Sequence, residues 1–376
     1  MKSKKLHIVS FDVPFPPNYG GVIDVYYKCK SLHALGFEIN LHCYQYGREP
    51  AEKLLSYCKT VNYYKRNKII NPALLYGASA LPYIVSTRAD KRLLENLLKD
   101  DAPILFEGLH STYLLNEPSI DNNRCYVRTH NIEHEYYKKL ADVERNPFKR
   151  LFFNKESQRL AQYEQVLKKA KMVFSISQPD KIHFEKVNPN TALVSAFHES
   201  ATIESLEGVG NYALYHGNLA VGENNHAACY LAENVFPKVD FPCMIAGNNP
   251  SNKLISLCKK NNIQLVDNKS NKEIIDLIKN AQINVLVTFQ KTGIKLKLLN
   301  ALFKGRHCIV NEAMVDATGL ETLCHISNIA EDLAKSIEQL KNTPFTQSEI
   351  EKRQHILGTT FDNLHNATLI DGYIFG

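Results

Sequence analysis

The sequence of 376 residues lacks several motifs that identify common classes of enzyme. Its nine cysteines include no C-x-x-C pair, so the sequence does not predict a structural zinc site built on thiolates. It has no G-x-G-x-x-G motif, which argues against a nicotinamide-binding Rossmann site. It also has no D-x-D motif or comparable cluster of metal ligands. We therefore expect neither a dinucleotide cofactor nor a metal.

Long hydrophobic runs are also missing. No stretch approaches the roughly eighteen apolar residues that a membrane-spanning helix needs, and the first apolar run, Leu6–Phe11, is too short for a signal peptide. The cysteines are odd in number and lie inside apolar runs, which is typical of reduced core thiols. These observations predict a cytoplasmic protein. Any contact with a membrane is expected to be peripheral, on its inner face.

The charge is mildly basic, with a net value of +6 and a sequence pI of about 8.7. Lysines and arginines are scattered, with local groups such as Lys65-Arg66-Asn67-Lys68. This pattern is more typical of a solvated surface than of a nucleic-acid footprint, so we do not expect nucleic acid as a partner. A phosphorylated substrate or an anionic membrane remains compatible with it.

Short β-branched and aromatic runs alternate with helical patterns along the chain. This order predicts an α/β fold with parallel β-α-β units, and the length suggests two domains. A segment with few large apolar residues, 199–211, separates the halves and is interpreted as a linker. We predict domains at 1–205 and 206–345, followed by a helical tail at 346–376 that packs back on the first domain.

The segment 292–305, TGIKLKLLNALFKG, is the most informative part of the chain. An apolar strand precedes it and a second strand follows it, so its lysines fall in the first turn of a helix. The start of a helix offers unpaired N–H groups and a positive dipole end, which suits a phosphate. Lys295 lies nearest the start and is the better candidate for a diphosphate, whereas Lys297 shares a face with Asn300.

The first strand leads into a loop that ends in Gly20 and Gly21, before a helix expected to begin near Val22. Paired glycines allow the backbone to approach a ligand where a Cβ would clash. A tight loop with a glycine cap is the alternative. In the second half, Gly217 and Asn218 follow another strand and would present backbone N–H groups to a ligand in the same way.

A dense polar segment, RTHNIE at 128–133, directly follows a strand. Buried polar groups need partners, so packing alone does not explain this density. Arg128 can position an anion, and His130 can donate to a sugar hydroxyl. His130 and His134 also have the spacing of zinc ligands, but the order H-N-I-E-H is not H-E-x-x-H. A solvated helix start with an internal salt bridge remains the alternative.

Glu107 and His110 follow a neighbouring strand end. Glu107 is a candidate to orient either a substrate hydroxyl or His130, and an exposed strand terminus with a glycine turn is the alternative.

Four segments together resemble the GT-B fold glycosyltransferases of the large retaining group called family 4. They are the glycine pair after P-P-N-Y, R-T-H-N-I-E, H-G-N-L, and the lysine segment, which resembles the family pattern G-x-x-x-K-x-L-E-A-x-A-x-G. The resemblance spans essentially the whole chain. It implies two Rossmann-like domains facing a central cleft, and transfer of a sugar from a nucleoside-diphosphate sugar to a glycan or lipid-linked acceptor, with retention.

The resemblance also implies roles for particular residues. It places His130 near the reacting sugar and Lys295 at the diphosphate. The other donor-binding candidates are the residues of the glycine turns, the loop after Val266 and the lysine helix, namely Gly20, Gly21, Gly217, Asn218, Asp267, Asn268, Gly293, Ile294, Lys297 and Asn300. Acceptor-binding or supporting roles are expected for Glu107, His110, Arg128, Asn131 and Glu133.

The sequence departs from the family at one point. Thr292 and Asn300 stand where the family commonly carries a pair of glutamates, the second of which contacts the donor ribose. A catalytically silent binding protein and a sugar-nucleotide epimerase of the same fold are the alternative functions.

Overall fold

The computed structural model describes residues 4–67, 81–144, 146–289 and 296–376. The chain forms two compact units. The first contains the described residues up to His198 together with Asn363–Gly376, and the second contains Glu199–Asp362. The C-terminal segment is therefore divided between them. Within the described ranges, no helix combines the length and the hydropathy that a membrane crossing requires.

The first unit is built on a seven-stranded parallel sheet with the order β3-β2-β1-β4-β5-β6-β7. Its strands are β1 (Lys4–Ser10), β2 (Phe37–Gln45), β3 (Thr60–Lys65), β4 (Ile104–Glu107), β5 (Cys125–Arg128), β6 (Met172–Ser175) and β7 (Thr191–Leu193).

The second unit is built on a six-stranded parallel sheet with the order β10-β9-β8-β11-β12-β13. Its strands are β8 (Ala213–His216), β9 (Cys243–Ala246), β10 (Gln264–Val266), β11 (Ile283–Leu286), β12 (His307–Val310) and β13 (His325–Ile326). In each sheet the strand order reverses once, between β1 and β4 and between β8 and β11. Doubly wound sheets bind ligands at the carboxyl ends of the strands beside such a reversal.

Helices connect the strands and cover the sheets. In the described residues they are α1 (Gly20–Ala34), α2 (Tyr83–Ser86), α3 (Lys91–Leu97), α4 (Glu133–Val143), α5 (Pro147–Tyr163), α6 (Gln178–Glu185), α7 (Gly222–Asn234), α8 (Asn252–Lys260), α9 (Asn271–Asn280), α10 (Leu296–Lys304), α11 (Glu312–Val315), α12 (Ala330–Leu340), α13 (Gln347–Thr360) and α14 (Asn363–Phe375).

Local sequence explains where several of these helices begin. Ser251 and Ser270 accept hydrogen bonds from the third helical N–H of α8 and α9, and Glu273 completes a capping box at α9. In α10, Leu298 and Leu302 are fully buried, so the apolar face of the lysine helix packs on its sheet.

The structure confirms the predicted α/β fold. Strands alternate with helices along the chain and form two parallel sheets. Two local features differ from the prediction. The glycine pair lies in the first turn of α1, which begins at Gly20, rather than in the loop before a helix near Val22. The helical tail is broken at 361–362 into α13 and α14, and only α14 belongs to the first unit, where Ile370 joins the core.

Candidate active site

The polar residues at the carboxyl ends of β4 and β5 join a buried network in the first unit. Glu107 is the last residue of β4 and Arg128 is the last residue of β5. Helix α1 supplies Asp24 and Lys28, one turn apart, to the same network, and His130 follows β5. The strands therefore bring Glu107, Arg128 and His130 together, as the sequence predicts.

Asp24 and Arg128 form a bidentate ion pair in this network. Arg128 donates from Nε and Nη2 to the two carboxylate oxygens of Asp24, at 2.7 and 2.8 Å. Two of its three other N–H groups donate to the carbonyl oxygens of Val194 and Ser195. Burial raises the pKa of Asp24, but Arg128 and Lys28 outweigh this effect and hold the pKa well below its ordinary value. Arg128 is therefore a structural cation with four hydrogen bonds to protein partners.

Glu107 lies between Lys28 and His130. The Lys28 ammonium is 2.8 Å from one carboxylate oxygen of Glu107 and 2.9 Å from the other, and His130 Nε2 is 3.0 Å from Oε2. Burial raises the pKa of Glu107, but Lys28 and His130 outweigh it and keep the pKa below its ordinary value. The ionised carboxylate fixes the imidazole of His130, whose ring also meets Phe11 edge-on at 5.4 Å.

Asp24, Glu107 and His130 present ligand atoms close enough together for a metal ion. The Lys28 ammonium contacts both carboxylates, at 2.8 Å from each. It therefore occupies the position and supplies the charge that a metal ion would supply. This donor set fits an internal ion pair better than a metal centre.

A second polar group lies beside the first, at the start of α4. Burial raises the pKa of Glu133 to about 8, so its carboxyl group is largely protonated at neutral pH. The side chain of Asn131 hydrogen-bonds to Glu133, and His110 Nε2 lies 3.7 Å from Glu133 Oε2. Burial, with Arg88, holds the pKa of His110 well below its ordinary value. Two groups that are uncharged at neutral pH thus stand near His130.

The glycine pair and its surroundings lie at the carboxyl end of β1. A Cβ on Gly21 would lie 2.5 Å from the tip of the Phe11 ring, so a larger residue there would have to displace that ring. Nearby, the loops after β1 and β2 line a cavity of about 530 Å³ that includes Phe15, Asn18 and Arg48. Arg48 donates to Asn18 Oδ1 at 2.8 Å, and its buried Nε has no partner among the described residues.

In the second unit, Gly217 follows β8 at the strand reversal. The glycine turn after β9 packs against it so closely that a Cβ on Gly247 would lie 1.8 Å from the Gly217 carbonyl oxygen. Asn218 and Asn224 close the turn, since the Asn224 amide donates to the Asn218 carbonyl oxygen at 3.0 Å. The backbone at Gly217 is therefore closely packed and hydrogen-bonded at this strand end.

Asp267 and Asn268 lie after β10, two strands further along the sheet. Asp267 Oδ1 accepts hydrogen bonds from the backbone N–H of Asn249, at 3.2 Å, and of Asn268, at 2.7 Å. Asn268 has a φ of 54°, a left-handed conformation that asparagine tolerates. Both residues thus shape the turn at the carboxyl edge of the sheet.

The lysine helix is described from Leu296 onward. Lys297 donates to Asn224 Oδ1 at 2.8 Å, and its ammonium lies 5.3 Å from the centre of the Tyr215 ring. It therefore reaches the β8 turn, and Asn300 follows on α10, partly exposed. The predicted site residues Gly293, Ile294 and Lys295, and also Thr292, lie outside the described residues.

Sequence reasoning missed three residues of these sites. Asp24 and Lys28 lie on the buried side of α1 among apolar neighbours such as Val25, and opposite charges four residues apart on an apolar helix face were the available signal. His216 ends β8 and is buried. Burial, together with Lys297, lowers its pKa to about 3, and its Nε2 has no hydrogen-bond partner among the described residues.

The two histidines considered as a zinc pair have different partners. His130 contacts Glu107, whereas His134 Nδ1 lies 3.3 Å from Glu164 Oε2. They do not share a site.

Comparisons with known proteins show similarity in the second unit and in the fold. Residues 210–343 match the family model described as glycosyl transferases group 1, which covers most of the second unit. A Klebsiella pneumoniae protein described as an uncharacterized 44.6 kDa protein in the cps region is 26% identical over 321 residues, covering 79% of this chain and 80% of the relative.

Solved structures share the fold over the full length. S. aureus TarM, in a complex with fondaparinux, α-GlcNAc-glycerol and UDP, has a TM-score of 0.67 at 11% identity, covering 99% of this chain and 100% of that one. WaaG, a glycosyltransferase involved in lipopolysaccharide biosynthesis, has a TM-score of 0.64 at 11% identity, with coverage of 99% and 100%. These matches confirm the expected two-sheet fold.

Proposed function

We propose that this chain, which is a glycosyltransferase with the GT-B fold, transfers a sugar from a nucleoside-diphosphate sugar to a hydroxyl group of a glycan or lipid-linked glycan, with retention at the anomeric carbon. The observation that carries the proposal is the position of the group 1 match. It spans residues 210–343, which include the β8 turn and the lysine segment. We assign the reaction to surface polysaccharide synthesis, which the cps-region relative supports.

We propose that the donor binds at the β8–β11 reversal of the second unit. The ammonium of Lys297 reaches the β8 turn, where Gly217 lies. At the same strand end, His216 keeps a neutral imidazole whose Nε2 has no hydrogen-bond partner among the described residues. Lys295, earlier in the lysine segment, is proposed to meet the diphosphate. The other proposed donor contacts in that segment are Gly293, Ile294 and Asn300. At the β10 edge, the proposed donor contacts are Asp267 and Asn268.

The proposed reaction breaks the bond between the anomeric carbon and the diphosphate oxygen and forms a bond to the acceptor oxygen. The acceptor hydroxyl passes its proton to the departing diphosphate in the same exchange. Negative charge grows on the leaving diphosphate, and the lysine ammonium groups stabilise it without a metal ion. His130, held by Glu107, is proposed to orient or stabilise the reacting sugar, because an imidazole that is already held in place loses less entropy when the sugar binds.

We propose that the acceptor binds to the first unit. The cavity of about 530 Å³ beside Arg48 has the volume of a small-ligand site, and it adjoins the loop that leads to Gly20 and Gly21. Glu133, which is protonated at neutral pH, and His110 add hydrogen-bonding groups near His130. Asn131 and Arg128 support them rather than contact the acceptor, since both already have protein partners.

Peripheral attachment to the inner face of a membrane is also proposed, through the hairpin of α4 and α5. At its tip, Val143, Phe148 and Leu151 are 73%, 83% and 55% exposed. Lys149 and Arg150, also exposed, stand between the two apolar residues of α5. Exposed apolar side chains flanked by basic ones fit an anionic lipid surface. The nine free thiols support a reducing compartment on that side.

The test is a transfer assay with a panel of nucleoside-diphosphate sugars and lipid-linked or free glycan acceptors. We expect the nucleoside diphosphate to be released only when the acceptor is present, and the glycan to gain the mass of one sugar. NMR coupling constants of the product should show the same anomeric configuration as in the donor. Binding without release would favour the silent binding protein, and a donor sugar with one inverted carbon would favour an epimerase. An inverted anomeric carbon would remove retention from the proposal.

A further inference from the structure

Three side chains of the first unit converge at a place that the proposed transfer does not use. His134 is on α4, His183 is on α6, and Glu164 begins the short 3-10 helix Glu164–Lys169 that follows α5. His134 Nδ1 lies 3.3 Å from Glu164 Oε2, and His183 Nε2 lies 2.7 Å from Glu164 Oε1. One ligand atom from each residue lies within 4.8 Å of the other two. The same carboxylate is thus shared by two imidazoles.

We propose that His134, Glu164 and His183 bind one divalent transition-metal ion, with zinc as the best fit. Two imidazoles and a carboxylate are ligands that zinc prefers. Around a tetrahedral zinc with bonds of about 2.0–2.1 Å, neighbouring ligand atoms lie about 3.3 Å apart. His134 Nδ1 and Glu164 Oε2 already have this separation. His183 Nε2 contacts the other oxygen, Oε1, so its side chain must shift before one atom from each residue, now within 4.8 Å of the other two, meets a single ion.

Metal binding at this site is an exchange of protons for a cation. Without metal, a ring N–H facing each carboxylate oxygen makes these short contacts favourable. With metal, His134 Nδ1 and His183 Nε2 use their lone pairs instead, and any proton on these atoms passes to solvent.

The burial of the three residues suits an ion that enters from solvent. The side chain of Glu164 is only 5% exposed, whereas those of His134 and His183 are 23% and 25% exposed. The carboxylate is fixed beneath two accessible imidazoles, which leaves a fourth coordination position facing water. Ser157 donates to the His134 carbonyl oxygen at 2.7 Å and holds the start of α4.

This cluster differs from the other group with metal-ligand geometry in the described part of the chain. In the Asp24, Glu107 and His130 group, the Lys28 ammonium already supplies the positive charge. Among the described residues, Glu164 forms no ion pair with a lysine or an arginine. Its carboxylate pairs with the imidazoles of His134 and His183. A bound metal would tie α4 to α6, close to Glu133, and would stabilise this part of the first unit.

The test is a titration of the chelator-treated, full-length protein with zinc chloride, read by competition with a chromophoric chelator. We expect one zinc per chain and a higher melting temperature with zinc. His183→Gln and Glu164→Gln should each weaken binding by at least about tenfold, since even the loss of an outer-shell partner costs roughly that much. His325→Gln is the matched control, because His325 also packs on an imidazole, that of His307, at 5.8 Å.

A second readout needs no variant. Zinc should protect His134 and His183, but not the exposed His33, from diethylpyrocarbonate in the wild-type protein, as measured by peptide mass spectrometry. Equal modification with and without zinc would overturn the proposal, as would His183→Gln binding zinc as tightly as the wild type. Because neither readout uses a nucleotide sugar, failure here leaves the proposed transfer untouched.

Discussion

Arg128 and Asp24 are joined by two charge-assisted hydrogen bonds, from Nε to Oδ2 at 2.7 Å and from Nη2 to Oδ1 at 2.8 Å. The pair links the end of β5 to α1 in a fully buried setting. Because Arg128 is only two residues before His130, it also fixes the backbone from which the histidine projects. The planar fork of arginine is needed for this geometry, and lysine cannot reproduce it.

Asp24→Asn should strongly destabilise the first unit. The substitution removes the carboxylate that neutralises the buried cations Arg128 and Lys28. Removing one partner of a buried ion pair lowers the free energy of unfolding by about 3–5 kcal/mol. Urea unfolding followed by tyrosine fluorescence should show this as a lower midpoint. Arg92→Ala, which removes an exposed pair with Asp90, is the control and should change stability by no more than about 1 kcal/mol. Equal effects of the two substitutions would contradict the role given to Asp24.

Glu107 and His130 should act as one unit in transfer. We expect His130→Ala to lower kcat by about 10²-fold, comparable to the loss of one donor at a charged transition state. Glu107→Gln should also lower kcat, and the double variant should be no slower than the slower single variant, because Glu107 acts through His130. Steady-state kinetics of all three variants measures this, with His33→Ala on the exposed end of α1 as control. Strictly additive losses would show that the two residues act separately.

The α4–α5 hairpin should direct binding to anionic membranes. Phe148→Ser with Leu151→Ser removes two exposed apolar groups, each contributing about 1.5–3 kcal/mol when buried in lipid, so vesicle affinity should fall at least tenfold. Co-sedimentation with phosphatidylglycerol vesicles at two salt concentrations measures this. Leu55→Ser is a matched control, since Leu55 is 57% exposed and lies far along the chain from the hairpin. If the control loses as much affinity as the double variant, the hairpin is not the docking surface.

Stability at acid pH should depend on a buried histidine relay in the first unit. His42 Nδ1 contacts the Tyr64 hydroxyl at 2.8 Å and its Nε2 contacts His7 Nδ1 at 2.9 Å. Burial lowers the pKa of His42 to about 3, so the folded protein keeps this ring neutral well below the pH at which the unfolded chain binds a proton. Stability is therefore lost as pH falls below about 6.5, at up to about 1.4 kcal/mol per pH unit, down to pH 3.

His42→Gln tests this dependence because glutamine does not titrate. Between pH 6 and 4, the free energy of unfolding of the wild type should fall more steeply than that of the variant. His33→Gln, which removes an exposed histidine, should keep the wild-type slope. Parallel slopes for the wild type and His42→Gln would contradict the account of the relay.

Much of the fold could be predicted from the sequence because its strands are short apolar runs separated by helical patterns. Leu6–Phe11 and Ile283–Phe289 are near-continuous apolar runs, as parallel strands buried on both faces require. The break of the helical tail at 361–362 was harder to predict from the sequence. Apolar residues continue across it, and only tertiary packing decides that Phe361 joins the second core while Ile370 joins the first.

The candidate site could be predicted where a polar residue follows a strand. Glu107, Arg128 and His130 were found in this way, because parallel strands bring their carboxyl ends to one edge. Asp24 and Lys28 were missed because they come from a helix 79 residues or more before their partners Glu107 and Arg128. Sequence proximity carries no signal for such pairs.

The sequence also could not predict which anion Arg128 binds. An arginine at a strand end suits an anionic ligand, but here the carboxylate of Asp24 is the anion. The sequence locates the arginine and leaves its partner open.

The most direct test of the central claim is a calorimetric titration of the wild-type protein with a panel of nucleoside-diphosphate sugars. We predict saturable binding of at least one donor, competed by the matching nucleoside diphosphate. Lys297→Ala should weaken it at least tenfold, since a charge-assisted hydrogen bond contributes about 1.5–3 kcal/mol. Lys238→Ala, at an exposed ion pair with Glu331, should bind like the wild type. Failure of every donor to bind, or wild-type affinity in Lys297→Ala, would contradict the account.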